Sequence, residues 1–262
     1  MLGSILPGSK KEVTIMCGRY TLTMEAALLA KRFGIVQLRI PMTPRYNIAP
    51  SQMVPTVLTV GEAGEKLTVL DGCSWGLTAP PKPGTKAGKL IINARMEGLF
   101  ERSMFKKLVE IGRCLIPADG FYSWATEGKR KVPYLVRLKG GQPFFFAGLW
   151  KQITDSNKQK VKACVIITVP ANDTLSEIEE RMPAILRTKD EKKWLNPEMQ
   201  DKAEIIAMLS PYPDKEIEYF KVSKLVNSSK VDDEACARPL TESEDEKEAE
   251  TPDKQMSLFD LA

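Results

Sequence analysis

The sequence predicts an α+β domain built mainly of antiparallel sheet with flanking helices. Strand-like runs rich in β-branched and aromatic residues recur at 54–60, 67–75, 90–93, 113–117, 134–138, 144–150 and 161–169. Helical patterns are few, and they do not alternate with the strands as a βαβ protein requires. In chain order, 24–33 (MEAALLAKRF) reads as a helix ended by Gly34. The proline-rich stretch 41–55 reads as loop, passing into an extended segment near 54–60. The segment 96–111 spaces Leu99, Met104, Leu108 and Ile111 along one helical face, and 201–209 offers a further helix. No internal repeat is present.

At 262 residues the chain has the length for one large domain or two small ones, and 43% hydrophobic with 27% charged residues is ordinary for a soluble protein. No apolar run approaches the roughly 20 residues of a membrane span. The opening MLGSILPGSKK sets its lysines after a short apolar stretch, the reverse of a secretory signal, so a reducing cytoplasmic location is expected. Five scattered cysteines (Cys17, Cys73, Cys114, Cys164, Cys236), without a CxxC pair and with no histidine, form neither a disulfide framework nor a zinc site. No metal or organic cofactor is implied. Acid–base chemistry must therefore use carboxylates, amines or thiols.

The net charge of +4 is unevenly spread: residues 241–262 hold eight acidic residues against two lysines, leaving +10 for residues 1–240. A basic body with an acidic arm suits a domain that binds a polyanion. Residues 1–15 read as an N-terminal extension before Met16, a second possible start; residues 16–240 read as the domain. Residues 241–262 read as a disordered acidic tail ending in the apolar peptide QMSLF at 255–259.

The segment Met16-Cys17-Gly18-Arg19-Tyr20 carries the first chemical signal. A cysteine after an initiator-type methionine becomes N-terminal when that methionine is removed. It then presents a thiol two carbons from an α-amine whose reference pKa is about 8, so a useful fraction is unprotonated near neutrality. The amine condenses with an aldehyde to an imine, and the thiol closes a thiazolidine on the same carbon. A peptide bond on the amine prevents both steps. Taken alone, this segment reads rather as a small buried cysteine, the usual fate of a lone one.

Six further segments follow in fixed order: 45–52 (RYNIAPSQ), 74–77 (SWGL), 92–97 (INARME), 113–122 (RCLIPADGFY), 146–150 (FAGLW) and 181–183 (RMP). Together with CGRY they resemble the SRAP family, the SOS response-associated peptidases or abasic-site-processing proteins, over about 16–240. The resemblance implies a single compact SRAP domain, mainly antiparallel and barrel-like with flanking helices, whose basic cleft bends single-stranded DNA. It implies that an N-terminal cysteine, here Cys17, forms a thiazolidine with the ring-opened aldehyde of an abasic site, shielding the lesion in the DNA damage response. By position, Asn93 holds the cysteine and sugar, Arg19, Arg95 and Arg181 meet phosphates, and Asn47 and Trp75 line the cleft. Arginine forks suit phosphate oxygens and an aromatic ring can stack on a base; Trp75 reads equally as core, and Arg95 as a partner of Glu97. The expected species is a monomer, cytoplasmic and nucleoid-associated.

Two positions depart from the family pattern. Ser123 stands where a glutamate is usual, and Glu179 stands where a histidine is usual. One reading is exchange: Glu179 moves protons during ring opening or imine formation, with Ser123 keeping a hydrogen bond. A carboxyl against an apolar wall has a raised pKa suited to this. The other reading is loss of acid–base help. A third departure is the extension, which blocks Cys17 unless residues 1–16 are absent, through a start at Met16 or through self-removal of a leader by peptidase chemistry. In the tail, Gln255, Leu258 and Phe259 resemble the peptide by which bacterial repair proteins dock on the sliding clamp. Three competing readings remain: an N-terminal-nucleophile amidohydrolase, a thiol peptidase acting in trans, and a DNA-binding clamp adaptor that does not crosslink.

Overall fold

The computed structural model describes residues 18–35, 37–61, 66–79, 88–128, 130–154 and 158–250. The first half runs β1 (Tyr20–Leu22), α1 (Ala26–Phe33), β2 (Arg45–Ile48), β3 (Met53–Val60), β4 (Leu67–Trp75), β5 (Leu77–Thr78), β6 (Leu90–Ile91), β7 (Asn93–Arg95), α2 (Ser103–Ile111) and β8 (Arg113–Ala118). The second half runs β9 (Gly120–Glu127), β10 (Arg130–Leu138), β11 (Phe144–Thr154), β12 (Lys160–Pro170), α3 (Asp173–Ser176), β13 (Arg181–Pro183), α4 (Thr188–Leu195), α5 (Lys202–Met208), β14 (Ile217–Lys221) and α6 (Glu242–Glu250). The fold is α+β, as the sequence predicts. Among the described residues no helix is long and apolar enough to cross a membrane.

Five strands close on themselves. β11 pairs β8, β8 pairs β3 and β3 pairs β4, all antiparallel; β4 then lies parallel to β12, and β12 returns antiparallel to β11. Closure removes the open edges that these long strands would otherwise expose. Cys73, Cys114 and Cys164, from three of these strands, lie close together in the core, where burial raises the Cys114 thiol well above its usual value. A second, antiparallel sheet has the order β14-β10-β9-β1-β2. Tyr20 joins the two sheets: its buried ring makes edge contacts with Trp75 at 5.3 Å and Phe146 at 5.7 Å.

Several elements differ from expectation for local reasons. The proline-rich stretch holds β2, because Tyr20 and Leu22 of β1 supply it with a pairing partner. The segment 96–111 is broken into a 3₁₀ turn at Met96–Gly98 and α2, which buries Phe105, Leu108 and Val109 and leaves Ile111 exposed. The acidic segment 242–250, expected to be disordered, is helical. Glu244 reaches back to the start of the helix: the Thr241 amide and hydroxyl donate to Glu244 Oε2 at 3.0 and 2.9 Å, and the Glu244 amide donates to the Thr241 carbonyl at 3.1 Å. Residues 251–262, which hold Gln255, Leu258 and Phe259, lie outside the described residues, as do residues 1–17.

Candidate functional site

Cys17 falls outside the described residues, but the chain that follows it is fixed. β1 lies between β2 and β9, with Tyr20 opposite Phe121, and the Tyr122 amide donates to the Arg19 carbonyl at 3.0 Å. The backbone leading back to Cys17 therefore runs antiparallel to β9 at Tyr122, one residue before Ser123.

Arg19 is turned inward. It is fully buried, and Nη1 donates to the Val226 carbonyl at 3.1 Å. Asn47 is buried too, and its Nδ2 donates to the carbonyls of Val226 (3.2 Å), Ser228 (2.9 Å) and Val231 (2.7 Å). Asp232 closes the knot by accepting the Tyr46 and Asn47 amides at 2.6 and 2.9 Å and pairing with Arg45. Burial acts to raise its carboxyl, yet Arg45 and these amides outweigh it and hold the group below the usual carboxylate range. Arg19 and Asn47, expected to meet phosphate and line the cleft, instead pin the 226–231 loop to the strand behind Cys17. Satisfying buried carbonyls claims polar groups that would otherwise face solvent.

Trp75 is likewise core. It is fully buried, and its indole N–H donates to the Ile92 carbonyl at 3.1 Å. Fully buried, the indole offers no face to a base, so of the two readings of Trp75 the structure fits the core one, with the side chain supporting the segment that leads into Asn93.

Asn93, Arg95 and Arg181 do converge, at the C-terminal end of β12. β7 pairs parallel with β12, setting Asn93 opposite Ile166 and Arg95 opposite Thr168, while β13 sets Arg181 opposite Pro170. Asn93 is half-buried and Arg95 exposed. Arg181 grips Glu97 with both terminal nitrogens, at 2.9 and 3.0 Å, and also donates to the Thr168 carbonyl at 2.7 Å. Its fork is thus filled by a carboxylate rather than presented open. Burial acts to raise Glu97, but Arg181 and the charge of Arg95 lower it below its ordinary value. The sequence pairs Glu97 with its neighbour Arg95; the arginine that it grips, Arg181, lies 84 positions away.

Ser123 and Glu179 meet. Ser123 Oγ donates to Glu179 Oε2 at 3.5 Å, with Ser123 almost fully buried in β9. Glu179 follows α3, its amide on the Leu175 carbonyl at 2.9 Å, and stands two residues before Arg181. Burial raises its carboxyl to about 7, against the opposing charge of Lys131 and the Ser123 hydrogen bond. Near neutrality such a group exists in both protonation states, as a proton carrier requires. Ser123, Glu179, Arg181, Arg95 and Asn93 thus follow one another along β9, the post-α3 loop, β13 and β7. Among the described residues no cluster of three or more His, Cys, Asp or Glu side chains can hold a metal ion.

Curated relatives match most of this chain. It is 38% identical over 219 residues to the abasic site processing protein YoqW of Bacillus subtilis, spanning 82% of this chain and 96% of that protein. It is 31% identical over 224 residues to the abasic site processing protein YedK of Escherichia coli, with 82% and 96% covered. A crystal structure of a Bacteroides thetaiotaomicron protein superposes with a TM-score of 0.73 at 25% identity, covering 86% of this chain and all of that one. The sequence profile of the SOS response associated peptidase family matches residues 16–229, and this chain belongs to that family.

Proposed function

We propose that this protein processes abasic sites in single-stranded DNA by joining itself to them through Cys17. The reading is supported most directly by the convergence of Asn93, Arg95 and the Ser123–Glu179 pair beside the chain that leads back to Cys17. The names of YoqW and YedK point the same way.

The ring-opened deoxyribose carries an aldehyde at C1′. The Cys17 α-amine adds to that carbon, the carbinolamine loses water to give an imine, and the thiol sulfur adds to the same carbon while its proton passes to nitrogen. The net change is loss of one water and gain of one C–N and one C–S bond. Glu179, poised near pH 7, supplies the proton that lets the hydroxyl leave and recovers one afterwards. Ser123 holds that carboxyl in place. Arg95 meets a flanking phosphate from its exposed position, and Asn93 orients the sugar.

The amine must be free, so residues 1–16 are absent from the active form. A start at Met16 followed by methionine removal reaches this end directly. Self-cleavage after Met16 is the second route, and the family's peptidase description fits it. The peptide 255–259 docks the protein on the sliding clamp through Leu258 and Phe259, which pull-down with both residues changed to alanine tests. The principal test is a denaturing gel of protein beginning at Cys17 with a single-stranded oligonucleotide carrying one abasic site. A heat-stable shifted band, lost in Cys17→Ala, is expected; no band would end the proposal.

A further inference from the structure

The helix α6 carries six acidic residues and one lysine, yet it lies against the body of the protein. Its sequence, ESEDEKEAE, has no apolar stripe, so charge and hydrogen bonding rather than hydrophobic burial hold it. Asp245 meets Lys221 Nζ at 2.9 Å. Glu244 takes both terminal nitrogens of Arg238, at 3.0 and 2.5 Å. Glu248 accepts Ser223 Oγ at 2.6 Å and the Lys224 amide at 2.9 Å, while Lys224 Nζ donates to the Glu248 carbonyl at 3.1 Å.

These partners are what a nucleic-acid backbone uses: two lysines, an arginine fork, a hydroxyl and a backbone amide. The carboxylates that fill them span four helical positions, about 6 Å along the axis, comparable with the step between successive phosphates of an extended strand. Exposed ion pairs of this kind are individually weak, and a polyanion that releases counterions on binding competes with them well. The surface also adjoins the reactive terminus. Ser223 caps the 3₁₀ turn Lys224–Asn227, and the Val226 carbonyl of that turn receives Arg19 and Asn47. A strand laid over Lys221 and Lys224 therefore runs beside the chain that leads to Cys17.

We propose that Lys221, Ser223, Lys224 and Arg238 form a second phosphate-binding surface for single-stranded DNA, and that α6 occupies it as an internal competitor which leaves when the strand binds. The inference rests on the single-stranded DNA reading above and adds to it a surface and a built-in antagonist. The acidic tail then raises the threshold for lesion-free strand while a covalent lesion still retains the protein.

The test uses the full chain and a fluorescein-labelled, lesion-free thymidine oligonucleotide, read by anisotropy over a range of sodium chloride. Neutralising the helix with Glu244→Gln, Asp245→Asn and Glu248→Gln should tighten binding about tenfold at low salt and steepen its salt dependence. The same changes made on top of Lys221→Ala, Lys224→Ala and Arg238→Ala should give no gain. Hydrogen exchange on the unaltered protein supplies a readout independent of any variant: amides 242–250 should lose protection when the oligonucleotide is added. Equal affinity of parent and neutralised helix, or undiminished protection of α6 in the complex, would overturn the proposal. A parent that binds the strand but ignores these changes removes only this inference, whereas a parent that neither binds strand nor crosslinks an abasic site removes the functional reading as well.

Discussion

Ser123 Oγ lies 3.5 Å from Glu179 Oε2, tying β9 to the loop that enters β13. The hydroxyl favours the charged carboxylate while burial favours the neutral acid, and burial prevails, with the group at about 7. If the neutral acid delivers the proton for dehydration, the crosslinking rate should fall as pH rises through about 7. Glu179→Gln should abolish that alkaline limb and slow the reaction by about 10²-fold, in the usual range for a lost general acid. Ser123→Ala removes a bond to the charged form, so its limb should move to higher pH. Single-turnover rates between pH 5.5 and 9 check both, and an unchanged profile in Glu179→Gln removes Glu179 from the chemistry.

Glu97 holds Arg181 with two hydrogen bonds and lies close enough to Arg95 to feel its charge. Its half-exposed carboxylate repels phosphate at the place where Arg95 is offered. Glu97→Gln should therefore tighten lesion-free single-stranded DNA by about 3- to 10-fold, with stability lowered by no more than about 1 kcal/mol. Salt titration of oligonucleotide binding reads this directly. Weaker binding would mean that Arg181 must stay clamped for the site to form.

Trp75 is fully buried between Tyr20 and the Ile92 carbonyl. Trp75→Ala should cost about 3–5 kcal/mol of folding stability, measured by urea denaturation. A variant of unchanged stability but poor DNA binding would restore Trp75 as an exposed stacking platform.

Glu191 of α4 is almost fully buried, with Arg32 Nη2 at 2.6 Å. Burial raises its carboxyl to about 7 even against that arginine. The folded protein thus keeps a proton that the unfolded chain has released above about pH 4.5. The contribution of this group is then fully present below about pH 4.5 and declines as pH climbs to about 7. Glu179 acts in the same direction. Urea midpoints at pH 5 and pH 7.5 should differ in the parent and differ by less in Glu191→Gln, where Glu179 alone remains; a parent whose midpoint rises over that interval contradicts the assignment.

The long strands were legible because their burial writes itself into the residues: 67–75 matches β4 in full, and β8, β11 and β12 were found from their β-branched and aromatic runs. β1 was hidden because three residues are too few to show alternation, and β9 because its burial is nearly continuous from Gly120 to Trp124. α4 was hidden because TKDEKKWL is mostly polar, and its buried face includes Glu191 itself. Within the site, the structure brings Asn93, Arg95 and Arg181 to one end of β12 and Ser123 against Glu179, all positions that the motifs single out. Arg19, Asn47 and Trp75 are buried, which residue type alone does not reveal, since it does not say whether a polar group faces a ligand or a buried carbonyl. The Thr-x-x-Glu pattern at 241–244, with Glu244 accepting the Thr241 amide and hydroxyl, opens a helix in a segment whose composition suggests disorder.

The identity of the atoms joined distinguishes a thiazolidine at Cys17 from any other adduct. Protein beginning at Cys17 should be mixed with a single-stranded oligonucleotide bearing one abasic site, and the product weighed intact and after proteolysis. The predicted mass is that of protein plus oligonucleotide less one water, with the added mass confined to the N-terminal peptide and resistant to borohydride, as a thiazolidine is and an imine is not. An adduct on a lysine elsewhere, or an unmodified N-terminal peptide, would contradict it.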